Sequence, residues 1–136
     1  MTPDDLAALH ARCFTTPRPW GPAEMADMLS APGVFLLPAP QGFLIGRTIA
    51  DEAELLTLAV APEARRGGIG RALVTRFAHA ARDRGATAAF LEVAADNAPA
   101  LALYHRAGWQ DAGRRRGYYA PDLDAIIMRL DLSFPA

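Results

Sequence analysis

Between Val60 and Ala72 the chain reads Val-Ala-Pro-Glu-Ala-Arg-Arg-Gly-Gly-Ile-Gly-Arg-Ala, which concentrates Arg65, Arg66, Gly67, Gly68, Gly70 and Arg71 around Ile69. Glycines without a Cβ let the backbone approach a ligand and turn its N–H groups inward. A helix opening at this point adds the positive end of its dipole, about 0.3 to 1 kcal/mol toward an anion before the arginine charges count. The chemistry implied is the cradling of a diphosphate. No Gly-Lys-Ser/Thr follows, so this is not a Walker loop, and the spacing is not GxGxxG. The plain alternative is a flexible glycine loop flanked by solvated arginines.

Glu92 is a second chemical candidate. It interrupts the apolar run Ala88-Ala89-Phe90-Leu91-Glu92-Val93, where removal from water would strengthen its hold on a proton. An amine is protonated at neutral pH and attacks nothing until a base takes a proton from it, and a carboxylate in such a run suits that task. Its alternative is a glutamate at a sheet edge with its head in water. Cys13 would need a positioned base to act as a nucleophile, and His10 is the only local candidate. Cys13 instead continues the Leu6, Leu9 face as a small core hydrophobe. His10, His79 and His105 share no ligand spacing with one another or with Cys13, so no metal site is expected.

These residues need elements to hold them. Pro3-Asp4-Asp5 before Leu6, Leu9 and Cys13 predicts a helix that Pro17 and Pro19 end. Met25, Met28 and Leu29 predict a second helix stopped by Pro32-Gly33. Val34–Leu37 and Phe43–Ala50 read as a hairpin, and Glu54–Val60 adds a third strand. From Gly68 to Arg84 one helical face carries Ile69, Leu73, Phe77, Ala80 and Ala81, with Gly85 as the stop. Ala88–Val93 is a buried strand. Asn97 then caps a helix over Ala98–Ala107 with Pro99 in its first turn. Trp109–Gly113 and Ala125–Leu130 close the chain, separated by a polar, tyrosine-bearing loop. The order αα-βββ-α-β-α-ββ is an α/β fold, a mixed, mostly antiparallel sheet with helices on both faces and one βαβ crossover. Ligands gather outside the carboxyl ends of such strands.

With 136 residues, one domain spanning 1–136 is expected. Fourteen basic residues against fifteen acidic ones give a net charge of −1, which argues against a nucleic-acid partner. Uncharged runs are too short to span a bilayer and the start is acidic, so neither membrane insertion nor export is expected. A single cysteine suits a reducing cytoplasm.

Arg65-Arg66-Gly67-Gly68-Ile69-Gly70 resembles the (Q/R)xxGx(G/A) pyrophosphate motif of the GNAT superfamily of N-acetyltransferases. Asn97-Ala98-Pro99 downstream belongs to the same superfamily context, and Leu58-Ala59-Val60, Leu91-Glu92-Val93, Ala102-Leu103-Tyr104, Gly117-Tyr118-Tyr119 and Asp124–Met128 carry a likeness to its ribosomal-protein-alanine N-acetyltransferase family. The resemblance covers Asp51 to Leu132 closely. It touches the first fifty residues only through Pro19-Trp20 and the two helices. It implies that acetyl-CoA is the co-substrate, that the backbone of Leu58, Ala59 and Val60 pairs with the pantetheine arm, and that Arg66 to Arg71 hold the pyrophosphate. Asn97 would contact the cofactor near the thioester, Glu92 would be the general base, and Tyr104 the acid that protonates the departing thiolate. Without the family, Tyr104 could equally be a core tyrosine packed beside Leu101 and Leu103. The chain departs from the family in a first strand that is missing or reduced to Met1-Thr2, in having only four residues between Tyr119 and Asp124, and in placing His105 where an acidic residue is common.

The function expected is acetyl transfer to the N-terminal α-amine of a protein, a ribosomal protein beginning with alanine. Three other readings compete. The shortened acceptor loop suits a small amine instead, and a catalytically silent acetyl-CoA-binding module would not need Glu92 and Tyr104. Arg114-Arg115-Arg116 would suit an RNA or ribosomal surface, though three arginines at a strand end are more often a solvated face. The sequence leaves the oligomeric state open.

Overall fold

The computed structural model describes residues 1–14 and 18–133; Pro17, expected to help end the first helix, lies outside them. Helix α1 (Pro3–Cys13) opens on a capping box in which Thr2 Oγ1 accepts from the Asp5 N–H at 3.1 Å and the Asp5 carboxylate accepts from the Thr2 N–H at 3.0 Å. In α2 (Pro22–Ser30) the Glu24 carboxylate takes the Gly21 N–H and both Arg18 terminal nitrogens.

Strands β1 (Val34–Ala39), β2 (Gly42–Ile49) and β3 (Glu52–Val60) form the expected antiparallel meander. A 3-10 turn over Pro62–Ala64 leads to α3 (Ile69–Asp83), followed by β4 (Ala88–Ala94), α4 (Ala98–Arg106), β5 (Gln110–Ala120) and β6 (Leu123–Asp131). The six-stranded sheet has the order β1-β2-β3-β4-β6-β5, and β3–β4 is its one parallel pair. Before the meander the described residues hold only helices as regular elements, and Met1-Thr2 forms no strand.

The sheet buries an apolar layer on each side. Leu73, Val74 and Phe77 of α3 pack with Phe35, Leu55, Leu91, Val93 and Tyr104 on one face. Leu6, Leu9 and Met25 of the first two helices pack with Phe43, Ile45 and Ala59 on the other. Alternate β4 residues must therefore face the α1 side, and Glu92 is one of them.

The closing strands correct the sequence reading. Arg114 to Ala120 is strand, not loop: the β5–β6 ladder runs through Arg115↔Ala125 and resumes at Ala120↔Leu123. The four residues between are taken up in a bulge, where the Asp124 carboxylate accepts from the Gly117 N–H at 2.8 Å and pairs with Arg114 at 2.7 Å. Polar composition hid the strand, because an edge strand tolerates charge along its whole length.

Gly46 marks where α3 meets the sheet. A Cβ there would sit 2.6 Å from Phe35 Cζ and 2.8 Å from Phe77 Cε1, inside the contact of two stacked rings. Gly46→Ala is expected to cost about 1–3 kcal/mol of unfolding free energy through overpacking. Urea denaturation would measure it, and an unchanged midpoint would show that the rings yield freely.

Candidate active site

Strands β3 and β4 pair only through Glu52↔Ala88, Ala53↔Ala89 and Glu54↔Phe90, although β3 continues to Val60 and β4 to Ala94. The cause lies in β3. Against β2 its register steps from Gly46↔Leu55 to Ile45↔Thr57, so Leu56 is an extra residue, and such a bulge bends its strand away from a neighbour. The opening between the strands is a cleft of about 160 Å³. Leu55–Leu58 form one wall and Leu91–Ala94 the other. Asn97, Leu103 and Tyr104 of α4 line it, with His10, Phe14 and Trp20 from the first helical segment and Tyr119 from β5. Tyr104 packs with the α3 layer while Glu92 faces the α1 side, so the cleft is lined from both faces of the sheet, by an acid on one and a buried tyrosine on the other.

Glu92 is less enclosed than its apolar neighbours suggested. Leu91 and Val93 point into the α3 layer, whereas the Glu92 side chain keeps 30% exposure and meets Arg115 Nε at 3.0 Å through Oε1. That contact orients the carboxylate and leaves Oε2 to a ligand. Tyr104 is buried, tilted against Trp109 with ring centroids 6.0 Å apart. Burial first, and the neighbouring Tyr119 second, push its hydroxyl well above the usual phenol range, so it retains its proton as a donor. Tyr119 is pushed up to about 12 by burial, then by Glu92 and Tyr118. Asn97 caps α4, its Oδ1 accepting from the Ala100 N–H at 3.2 Å, which leaves its NH₂ for a ligand.

Of the expected site residues, Leu58, Glu92, Asn97 and Tyr104 line the cleft. Ala59, Val60, Arg65, Arg66, Gly67, Gly68, Ile69, Gly70 and Arg71 do not line it; they run on from the end of β3 into α3. There Arg66 has φ 72° and Gly68 φ 86°, and Gly68 caps α3 with no side-chain hydrogen bond. The first-turn N–H groups of α3 have no intrahelical acceptor and stand open toward the loop. A Cβ on Gly68 would meet nothing within 4 Å, so the glycine serves the left-handed backbone. Gly70 serves packing as well, since its Cβ would touch Leu103 Cδ2 of α4 at 3.4 Å. Arg65 Nε donates to the Val60 carbonyl at 3.2 Å and ties the loop to the strand end.

A family model described as "Acetyltransferase (GNAT) family" matches residues 4–109. The chain belongs to the GNAT acetyltransferase family. Among GNAT relatives, 94 residues are 43% identical to the [ribosomal protein bS18]-alanine N-acetyltransferase of Escherichia coli strain K12, covering 67% of this chain and 64% of that protein. The chain thus matches just under two thirds of that relative's length. It is 36% identical over 140 residues to the N-alpha-acetyltransferase RimI of Mycobacterium tuberculosis, covering 96% of this chain and 87% of the relative. The crystal structure of the ribosomal-protein-S18-alanine N-acetyltransferase from Escherichia coli superposes with a TM-score of 0.83 at 32% identity, covering 96% of this chain and 87% of that one.

Within this GNAT fold the sequence reading assigned no cleft role to His10, weighed only as a base for Cys13, to Arg115, weighed only within a run of three arginines, or to Tyr119, named only for the family likeness, and Thr57 drew no notice at all. His10 follows Leu6 by four residues and so lies on the buried stripe of α1, a signal that was available. It is 2% exposed, its Nε2 lies 2.9 Å from Thr57 Oγ1, and its Nδ1 accepts from the Trp20 N–H at 3.1 Å. Burial lowers it from 6.5 to about 4. A group that is neutral when folded but protonates when unfolded gives stability that is complete above about pH 6.5 and declines as pH falls toward 4. The loss attributable to His10 across that window is about 3 kcal/mol. Urea titrations at pH 7 and pH 4.5 would read it, and His10→Phe should flatten the difference. An equal slope in both proteins would remove His10 as the cause.

Arg114 and Arg115 are each spent on an internal carboxylate, and the Arg115 guanidinium also lies 5.3 Å from the Tyr118 ring centroid. Among the described residues no cluster of three or more His, Cys, Asp or Glu side chains could hold a metal, and no helix is long and apolar enough to cross a membrane.

Proposed function

We propose that residues 1–136 act as one acetyl-CoA-dependent N-acetyltransferase domain whose acceptor is the N-terminal α-amine of a protein, specifically a ribosomal protein beginning with alanine. The observation that carries this reading is the cleft between β3 and β4, lined by Glu92 from one face of the sheet and by Tyr104 from the other. The relatives named for alanine N-acetylation support the choice of acceptor.

Bound acetyl-CoA supplies the activated acyl group as a thioester. Arg66 to Arg71 and the open N–H groups at the start of α3 hold its diphosphate, and the edge of Leu58–Val60 that β4 does not pair offers backbone groups to its amide-bearing arm, the Val60 carbonyl excepted because it already accepts from Arg65 and Cys13. Asn97 fixes the arm near the mouth. Glu92 takes the proton of the incoming ammonium at Oε2, while Arg115 keeps the carboxylate in place through Oε1. Tyr104, holding its proton, hydrogen-bonds the sulfur as it departs, and as it gives that proton to the sulfur the second proton of the attacking nitrogen replaces it, so no buried tyrosinate is left. No nucleic acid takes part in this scheme, and a cytoplasmic setting goes with a ribosomal acceptor.

Incubation with acetyl-CoA, N-terminal peptides and small amines, following thiol release, tests the acceptor. Peptides beginning with alanine should be acetylated at the highest kcat/KM. Transfer confined to small amines would overturn the peptide reading, and binding of CoA with no transfer to any amine would overturn the catalytic one.

A further inference from the structure

His10 and Thr57 form a buried polar pair for which the reaction scheme has no use. The Trp20 N–H occupies His10 Nδ1, so in the neutral ring the proton sits on Nε2 and is donated to Thr57 Oγ1. The Thr57 oxygen is thereby an acceptor, and its own hydroxyl hydrogen has no partner among the described residues. Thr57 is 7% exposed and lines the cleft, so that hydrogen is available to a molecule bound there. Its position is informative. Carrying the β3–β4 register past Glu54↔Phe90, and allowing for the extra Leu56, sets Thr57 across the opening from Glu92. Both side chains face the α1 side, where His10 and Ile45 lie.

An α-amine that reaches Glu92 brings with it the carbonyl oxygen of its own residue, two carbons from the nitrogen. We infer that the Thr57 hydroxyl, oriented by His10, donates a hydrogen bond to that first carbonyl oxygen and so selects aminoacyl amines over amines that lack one. Thr57 is then a specificity-determining residue and His10 a positioning residue behind it. The aromatic rings of Phe14 and Trp20, with centroids 4.4 and 5.1 Å from the His10 ring, hold the imidazole in its plane. This inference rests on the peptide-acceptor reading above.

The test compares two peptides beginning with alanine, one normal and one with sulfur replacing the first carbonyl oxygen, which accepts hydrogen bonds less well. The ratio of their kcat/KM values in the wild type should exceed that in Thr57→Val by roughly 3- to 10-fold, the range of one net hydrogen bond. Thr57→Ser should restore the wild-type ratio, and His10→Phe should lower it part-way. A rise in melting temperature with CoA in each variant shows that the donor side is intact. Equal ratios in the wild type and Thr57→Val, with peptide acetylation otherwise normal, would overturn this inference alone. Absence of peptide acetylation in a wild-type protein that still responds to CoA would overturn both it and the acceptor reading.

Discussion

Replacing Glu92 by glutamine is expected to lower turnover by roughly 100- to 10,000-fold at neutral pH, the range typical of general acid–base catalysis. The amide keeps the size of the side chain but cannot take a proton from an ammonium. CoA affinity should be almost unchanged, because Glu92 lies within β4 whereas the loop proposed to hold the diphosphate follows the end of β3. The loss belongs in kcat, since the missing interaction arises only as the proton moves. Alkaline pH should recover part of it, because more of the acceptor is then already neutral. Tyr104→Phe should behave differently. A CoA thiol resembles cysteine, with a pKa near ~8.5, so its thiolate leaves partly unaided and the tyrosine loss should be smaller and less responsive to pH. Steady-state rates of both variants from neutral to alkaline pH separate the two roles. A Glu92→Gln protein with wild-type turnover at neutral pH would refute the base assignment.

Gly68→Asp should abolish the stabilisation that CoA gives the wild type. A ligand that binds only the folded state adds about 2.7 kcal/mol at a hundredfold excess over its dissociation constant, which appears as a rise in melting temperature. Gly68 has φ 86°, a conformation an aspartate adopts with strain, and it stands at the cap of α3 where a carboxylate would occupy and repel the diphosphate. The space around its Cβ is open, so the fold itself should survive. Gly70→Asp would be a poorer probe, because its side chain would also press on Leu103. Thermal melts with and without CoA decide the point. A Gly68→Asp protein that keeps the full CoA response would remove the diphosphate assignment.

Periodicity and punctuation made most of the fold legible. The capped α1, the meander, the long α3 and the crossover into β4 all have residues whose local preference agrees with the global layer they join. The second half of β5 was not legible, because Arg114-Arg115-Arg116-Gly117 has neither alternation nor β-branched residues. Its strand character comes from pairing with β6 and from Asp124 gathering the bulge. The loop proposed for the diphosphate stood out in the sequence because three glycines and three arginines gather there between a strand end and a helix start. His10 and Thr57 could not be read as a pair, since 47 residues separate them and only the packing of α1 on β3 joins them. Arg115 met Glu92 for a similar reason, through the order in which β4, β6 and β5 stand side by side.

The most direct measurement is the site of acetylation on a single peptide that begins with alanine and carries an internal lysine. Incubated with the protein and acetyl-CoA, and sequenced by fragmentation in a mass spectrometer, it should gain one acetyl group, at the α-amine, with one free thiol released for each. An acetyl group found only on the lysine side chain, or thiol release with an unmodified peptide, would contradict the account.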